Sequence, residues 1–313
     1  MAVVRRLRNL WRWLSFPRRH RIPPDALVVD VGSGGSPNWR ANVLVDKFLA
    51  DDAERGYRLA IDERPFVVCD ARYLPFRPKT VDYIICSHLA EHMEDPEALF
   101  AELSRVAKAG YVECPGRIHE MLHGWDYHRW YVDVRDGRLM LEEKPRPLHD
   151  PEMHAWFSHF FTTDRQFERF FLDRLERLEM VAAYEWVDEI EYVVRRSDHS
   201  VWPRASASLT AQSPLSPTEL DAQVERVRGS AAGTRNERIK RLLGSGLRRR
   251  TDARAKRQLR AMLCCPICKG DLDEAADGLT CGPCAAHFPV AGNVHYLVAE
   301  QVARSRDALA AQR

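Results

Sequence analysis

The sequence predicts an α/β fold, an open and mostly parallel sheet with helices on both faces, plus a small metal-held module near the C-terminal end. Three observations lead there. Leu27-Val28-Val29-Asp30-Val31 is an apolar run interrupted by one acid and closed by Gly32-Ser33-Gly34-Gly35, the pattern of a buried parallel strand ending in a tight loop. Further short apolar runs each end in a polar group: Val43-Leu44-Val45 before Asp46, Phe66-Val67-Val68-Cys69 before Asp70, and Tyr83-Ile84-Ile85-Cys86 before Ser87-His88. Finally, Cys265-Pro266-Ile267-Cys268 and Cys281-Gly282-Pro283-Cys284 make a pair of CxxC knuckles separated by a hairpin-length stretch.

Composition sets the outer bounds. The 313 residues suffice for one full domain and a smaller unit. A hydrophobic content of 45% with 29% charged residues is ordinary for a globular protein. The formal net charge of +2 gives no global field that calls for nucleic acid, although basic clusters occur near the start and after Arg235. No apolar run approaches the ~20 residues needed to span a bilayer. Eight cysteines without a secretory signal point to a reducing, cytoplasmic setting, where paired cysteines bind metal more often than they form disulfides.

Residues 1–22 form a basic arm. Val3, Val4, Leu7, Leu10, Trp11 and Leu14 follow helical spacing, with arginines on the rest of the wheel. The arm reads either as a helix packed on the domain or as an interfacial helix on anionic lipid, with Trp11 and Trp13 at headgroup depth, which would make the protein membrane-associated. Pro23-Pro24 ends it, and residues 23–195 follow as the catalytic domain. Glycines at the end of its first strand let backbone approach a ligand closely. In open α/β sheets ligands lie at the carboxyl ends of strands, which puts a nucleotide-like cofactor here. Asp46, at the end of the second strand, suits both hydroxyls of a ribose. A dinucleotide fold fits less well: Ser36-Pro37-Asn38 follows the glycines where a long helix should open, and only about one turn fits before the next strand. Asp95-Pro96-Glu97 starts a helix whose buried stripe is Leu99, Leu103, Val106 and Ala107, and Tyr111 to Cys114 is the fifth strand.

Taken together, Asp30-Val31-Gly32-Ser33-Gly34-Gly35, Asp46, Cys69-Asp70-Ala71 with Leu74-Pro75-Phe76, Val81-Asp82-Tyr83-Ile84, Glu91-His92-Met93-Glu94-Asp95-Pro96 and Gly110-Tyr111-Val112-Glu113-Cys114-Pro115 resemble the class I S-adenosylmethionine-dependent methyltransferases, over roughly the first half of the chain. The resemblance implies a Rossmann-like sheet and S-adenosylmethionine as cofactor. It implies that Gly32 and Gly34, with Ser33 between them, lie against the methionine part and that Asp46 holds the ribose. It places Asp70 and Ala71 at the adenine and Ser87 in the cofactor-binding set, while Asp30 positions the loop and reaches the cofactor's amino group through water. The short segment after the first strand departs from the family pattern.

Beyond the fifth strand, Pro115 to Trp130 is dense in histidine, aromatic and acidic residues, which suits an acceptor-binding wall, though a packed lid would look similar. His88, His119, His123 and His128 are candidate general bases for a hydroxyl acceptor. Tyr131 to Val134 and Leu139 to Glu142 read as a hairpin around Asp136-Gly137. Phe157 to Phe161 with Phe167, Phe170 and Phe171 read as core of one following helix, and Met180 to Trp186 with Ile190 to Arg195 as a closing antiparallel pair. Residues 196–235 read as a flexible linker with a short helix near Thr218 to Val227, and 236–262 as a basic helix that either presents a solvated face or contacts RNA or lipid phosphate.

In the last module, residues 263–299, the thiolates of Cys265, Cys268, Cys281 and Cys284 can close a tetrahedral shell around zinc, leaving no position for water, so the site is structural. Cys264 is read as a spectator. Leu263 to Val298, with Lys269-Gly270 and Phe288-Pro289-Val290, resembles the zinc-ribbon family of methyltransferase activators. That resemblance implies an intramolecular partner, the chain's own catalytic domain. Residues 300–313 are a tail.

The expected function is methyl transfer from S-adenosylmethionine to a small molecule, a sugar or a lipid-linked glycan. RNA or protein methylation is the alternative; against it, the fourth-strand exit Ser87-His88-Leu89-Ala90 lacks an Asn-Pro-Pro-Tyr-type sequence. A non-catalytic cofactor-binding scaffold is the third reading.

Overall fold

The computed structural model describes residues 14–51, 58–147, 150–174, 180–202, 214–230 and 235–299. Trp11 and Trp13 of the arm, the middle of the linker and the tail lie outside them. In chain order the elements are β1 (Val28–Val31), β2 (Val43–Asp46), β3 (Phe66–Val68), β4 (Tyr83–Ser87), α1 (Pro96–Val106), β5 (Ala109–Pro115), α2 (Arg117–His123), β6 (Trp130–Arg135), β7 (Arg138–Glu143), α3 (Pro151–Thr163), α4 (Arg165–Arg174), β8 (Val181–Val187), β9 (Tyr192–Arg195), α5 (Pro217–Ser230), α6 (Arg235–Met262), β10 (Asp273–Ala275), β11 (Gly278–Cys281), β12 (Ala286–Ala291) and β13 (Val294–Tyr296). The architecture is α/β, with a mostly parallel Rossmann-like sheet and a C-terminal cysteine module.

Two compact units share this chain, and the boundary falls inside β4. Among the described residues, the first unit holds those up to Ile85, Val106–Lys108 and those from 214 on. Its strand order is β10-β11-β12-β13-β3-β2-β1-β4. Val29 faces Val43 and Leu44 faces Phe66 in parallel register, and every residue of β1, β2 and β3 is buried, which is why these strands are short continuous apolar runs. The C-terminal module continues the same sheet: β13 pairs parallel with β3, Val294 opposite Phe66 and Tyr296 opposite Val68. Phe66 N–H donates to Asn293 O at 2.9 Å and Leu297 N–H to Val68 O at 2.8 Å. An edge that would otherwise expose unpaired backbone groups is thereby covered.

The basic helix α6 is only partly solvated. Thr251, Ala255, Leu259 and Met262 lie on one face and are buried. Asn42 is the tie between that helix and the sheet. Its Nδ2 donates to Thr251 Oγ1 at 2.9 Å and Asp252 Oδ1 at 2.7 Å, and its Oδ1 accepts Val28 N–H at 3.0 Å. Arg248 is buried as well, donating to Trp39 O at 2.5 Å and ion-paired with Asp252 at 3.0 Å.

In the second unit, Cys86–Arg105 and 109–202 of the described residues, β5 lies between the end of β4 and β8, and pairs antiparallel with β8 from Ala109 opposite Val187 to Pro115 opposite Val181. A separate three-stranded sheet runs β6-β7-β9. The β6–β7 turn uses Asp136 (φ 52°) and Gly137 (φ 73°), the doubly left-handed geometry that a two-residue hairpin favours. Helix α1 starts at the expected cap, with Asp95 Oδ1 accepting Ala98 N–H at 3.0 Å, and buries Leu99, Phe100, Leu103 and Val106 completely.

Two expectations are corrected. The runs 180–186 and 190–195 do not pair with each other: β8 joins β5, whereas β9 runs parallel to β7. Asp188 (φ 62°) bends the chain between them, so the second run leaves the first sheet. The phenylalanine-rich segment is two helices, not one. Asp164 interrupts it by accepting from Gln166 N–H (2.7 Å) and Phe167 N–H (3.1 Å), which caps α4, and Phe170 faces solvent instead of the core.

Candidate functional site

The glycine loop after β1 is built by backbone bonds to β2. Gly32 and Ser33 both donate to Val45 O, at 2.9 and 3.0 Å, and Gly34 N–H donates to Asp46 Oδ2 at 2.9 Å. Gly32 (φ 77°) and Gly34 (φ 52°) occupy left-handed backbone that side chains resist. Asp30 Oδ2 accepts Asn38 N–H at 2.7 Å, which fixes the far side of the loop. Burial pushes Asp30 up to about 6, against that bond and the pull of Arg64, with the Asp46 carboxylate adding to the rise. Ser33 Oγ is buried and has no hydrogen-bond partner among the described residues.

Asp46 and Asp70 end adjacent strands; Cys69 N–H donates to Asp46 O at 3.1 Å. The Asp70 carboxylate is heavily committed. Oδ1 takes Arg72 N–H (2.9 Å) and Nε (3.0 Å), and Oδ2 takes Arg72 Nη2 (2.8 Å) and Lys47 Nζ (2.9 Å). Burial alone would raise its pKa; the Arg72 bonds and the Lys47 charge hold it at about 2. Ala71 is buried beside it. Ser87, the last residue of β4, belongs to the second unit.

The second unit gathers the four candidate histidines into different settings. His88 has φ 54° and a side chain 55% exposed, with Nδ1 3.4 Å from Glu91 Oε1 and Nε2 3.6 Å from Glu113 Oε1. Burial would lower its pKa, but the two carboxylates prevail and raise it. His119 and His123, four residues apart on α2, meet edge to face at 4.7 Å, and His123 stacks on Trp125 at 4.5 Å. Burial lowers both, and neighbouring histidines help bring His123 to about 4, so it stays neutral near pH 7. His128 is buried, its Nδ1 2.7 Å from Glu120 Oε2. A cavity of about 390 Å³ is lined by His123, Gly124, Trp125, Asp126, Tyr127 and His154, among others.

Several buried charges complete this unit that spacing in the sequence did not reveal. Glu120, fully buried, accepts from Lys144 Nζ at 2.5 Å as well as facing His128. Arg129 and Glu143 form a buried pair at 2.6 Å. Glu91 is 0% exposed; burial would raise its pKa, but His88, His92 and His128 hold it at about 2.

Back in the first unit, the four cysteines converge. Cys265 and Cys284 sulfurs lie 3.8 Å apart, Cys268 and Cys281 sulfurs 3.5 Å, and all four within 4.8 Å of one another. Thiolates ~2.3 Å from zinc at tetrahedral corners stand ~3.8 Å apart, so the set fits a structural zinc ion. Cys264 stays outside it, buried, with its N–H on Pro75 O at 3.0 Å.

Two family models match the chain, in separate stretches. A methyltransferase domain model matches residues 29–112, and a Trm112p-like protein model matches residues 256–292. Residues 29–112 therefore form a methyltransferase domain. To it is joined, in the same polypeptide, a Trm112p-like zinc ribbon. No curated protein matches the chain. Among solved structures it is similar to an Anabaena variabilis protein assigned as a methyltransferase of antibiotic biosynthesis (15% identity, 35% of this chain and 47% of that one, TM-score 0.29). It is also similar to the complex of the Haloferax volcanii Trm112 methyltransferase activator with a protein assigned as a methyltransferase (16% identity, 57% and 94%, TM-score 0.34). A third is an S-adenosylmethionine-dependent methyltransferase from Mesorhizobium loti (12% identity, 55% and 96%, TM-score 0.31). The chain spans about half the length of the Anabaena protein. Among the described residues no helix is long and apolar enough to cross a membrane.

Proposed function

We propose that the chain methylates a hydroxyl of a small molecule, a sugar or a lipid-linked glycan, with S-adenosylmethionine as donor. Bound S-adenosylmethionine supplies an electrophilic methyl group on a sulfonium. The residues of the glycine loop fit that group: the bared backbone at Gly32 and Gly34 admits the methionine part, and the Ser33 hydroxyl, buried without a partner, supplies a polar contact. Asp46 receives the ribose hydroxyls. Ala71 faces adenine, and Asp70 shapes that wall through Arg72 and Lys47. Asp30 holds the loop through Asn38 and reaches the cofactor's amino group through water.

The observation that carries the acceptor class is the cavity beside the His123–Trp125 stack. Its flat walls and scattered polar groups suit a ring-shaped polar molecule. His88 is the favoured base, because it is exposed and two carboxylates stabilise its protonated form. His119 and His123 serve as wall, and His128 as a buried anchor on Glu120. The exposed apolar groups Met153, Trp156 and Phe170 support a lipid-linked acceptor, for which the N-terminal arm provides peripheral membrane contact. The use of four cysteines as a zinc set suits a reducing, cytoplasmic location.

The test is transfer of radiolabelled methyl groups to lysate separated into lipid, small-molecule, RNA and protein fractions. Label in the lipid or small-molecule fraction is expected. Label confined to RNA or protein moves the assignment to macromolecule methylation, for which the ribbon and the exposed arginines of α6 would be the contacts. Cofactor binding without any transfer makes the chain a scaffold.

A further inference from the structure

We propose that Glu91, His92 and His128 form a second metal site, independent of the zinc ribbon and specific for a divalent cation that prefers nitrogen and oxygen ligands. One ligand atom from each residue lies within 4.8 Å of the others, in the second unit. A cation about 2.1 Å from each ligand holds neighbouring donors about 3.0–3.4 Å apart, so side-chain rotation that closes the 4.8 Å group by roughly an ångström brings all three onto one ion. Two imidazoles and one carboxylate are a donor set with open positions, suited to manganese, iron, cobalt or zinc.

Two independent features point to a ligand. Both Glu91 carboxylate oxygens are buried without a hydrogen-bond partner among the described residues, although the side chain is 0% exposed. A carboxylate withdrawn from water in this way has only weak donors beside it, the His88 ring and the Cys114 thiol, and a bound cation would compensate its charge more fully. His88 Nδ1 stands 3.4 Å from Oε1, outside the strong range for a charged bond. Secondly, His128 is already oriented as a ligand. Its Nδ1 faces Glu120 Oε2 at 2.7 Å, and Glu120 is in turn fixed by Lys144 Nζ at 2.5 Å. That leaves Nε2 of His128 for a cation, in the carboxylate–histidine–metal arrangement that sets tautomer and raises ligand basicity. The open positions of such a site take oxygen donors, water in the resting protein.

The site is separable from methyl transfer, because it is read without cofactor or acceptor. The full-length protein, its ribbon loaded with zinc, is titrated with Mn²⁺ and followed by loss of the free-ion electron paramagnetic resonance signal. One bound equivalent is expected. Glu91→Gln and His128→Gln should each weaken it at least tenfold, and Glu120→Gln by roughly ten- to a hundredfold through the weakened bond that orients His128. Cobalt should add a weak visible spectrum of nitrogen and oxygen ligation, distinct from the intense thiolate bands of the ribbon. Thermal melts show which variants are folded, and wild-type binding decides the matter even if one is not. No Mn²⁺ bound by the wild-type protein at millimolar concentration, or binding unchanged in both Glu91→Gln and His128→Gln, would overturn the proposal.

Discussion

Replacing Asp46 by asparagine separates the proposed ribose contact from the loop that the side chain supports. The carboxylate is 8% exposed, and Oδ2 accepts Gly34 N–H at 2.9 Å. Asparagine retains one carbonyl oxygen for that bond, so the glycine loop keeps its anchor. What disappears is the charge and one acceptor. A hydrogen bond to a charged group contributes ~1.5–3 kcal/mol and a neutral one ~0.5–1.5, so exchanging one charged bond for none and weakening another costs about 3 kcal/mol. That corresponds to a roughly hundredfold rise in Kd. Calorimetric titration with S-adenosylhomocysteine reads it directly, and a 2′-deoxyribose counterpart should show a much smaller difference between wild type and variant. Affinities within twofold of each other for S-adenosylhomocysteine, in a variant that melts normally, would refute the placement of the ribose at Asp46.

Other perturbations test the rest of the molecule. Burial raises the Asp30 pKa from 3.8 to about 6, so its protonated form is favoured in the folded chain; the stability it contributes is full below about pH 4 and lost as pH rises through about 6. The loss is about 3 kcal/mol, and Asp30→Asn should flatten that part of the stability–pH profile; a variant profile parallel to wild type contradicts the assignment. Lys144→Met leaves Glu120 with its Nζ partner removed in a buried site and should destabilise by roughly 3–5 kcal/mol in urea, with much of it recovered by adding Glu120→Gln; a neutral single variant argues against the network. Gly124 has φ 61°, and a Cβ there would drive into the His154 ring, so Gly124→Ala should cost at least ~1–2 kcal/mol and close the cavity to acceptor; unchanged stability would show that the loop relaxes freely. Removing zinc with a strong chelator should speed amide exchange at Val294 to Tyr296 and also at Phe66 to Val68, since β13 covers β3; protection unchanged in β3 would mean that the sheet edge does not depend on the ribbon.

The first half of the sheet was legible because each parallel strand is a short apolar run that ends at a glycine or an acid, as at Val31-Gly32 and Val45-Asp46. The cysteine knuckles were legible because zinc fixes both ligand type and spacing. Pairing across long sequence distance was not. Nothing local to Ile190 to Arg195 says that it seeks β7 over β8, because strand partners depend on where the chain bends, here at Asp188. The buried charges escaped for a similar reason: Glu91, Glu120 and Lys144 look like solvated residues until tertiary structure brings their partners in. One signal was available, since His119 and His123 at a four-residue spacing must share a helix face. The amphipathic role of α6 lay hidden under its arginines, one of which, Arg248, itself turns inward with Thr251, Ala255, Leu259 and Met262.

In the proposed function, one adenosyl group sits between the glycine loop and the ends of β2 and β3. A crystal structure of the full chain soaked with S-adenosylhomocysteine tests this most directly. It should show the ribose hydroxyls on Asp46, the amino-acid part along Gly32 to Gly34, and adenine beside Ala71. Ligand density elsewhere, with the Asp46 carboxylate facing only protein and solvent, would contradict it.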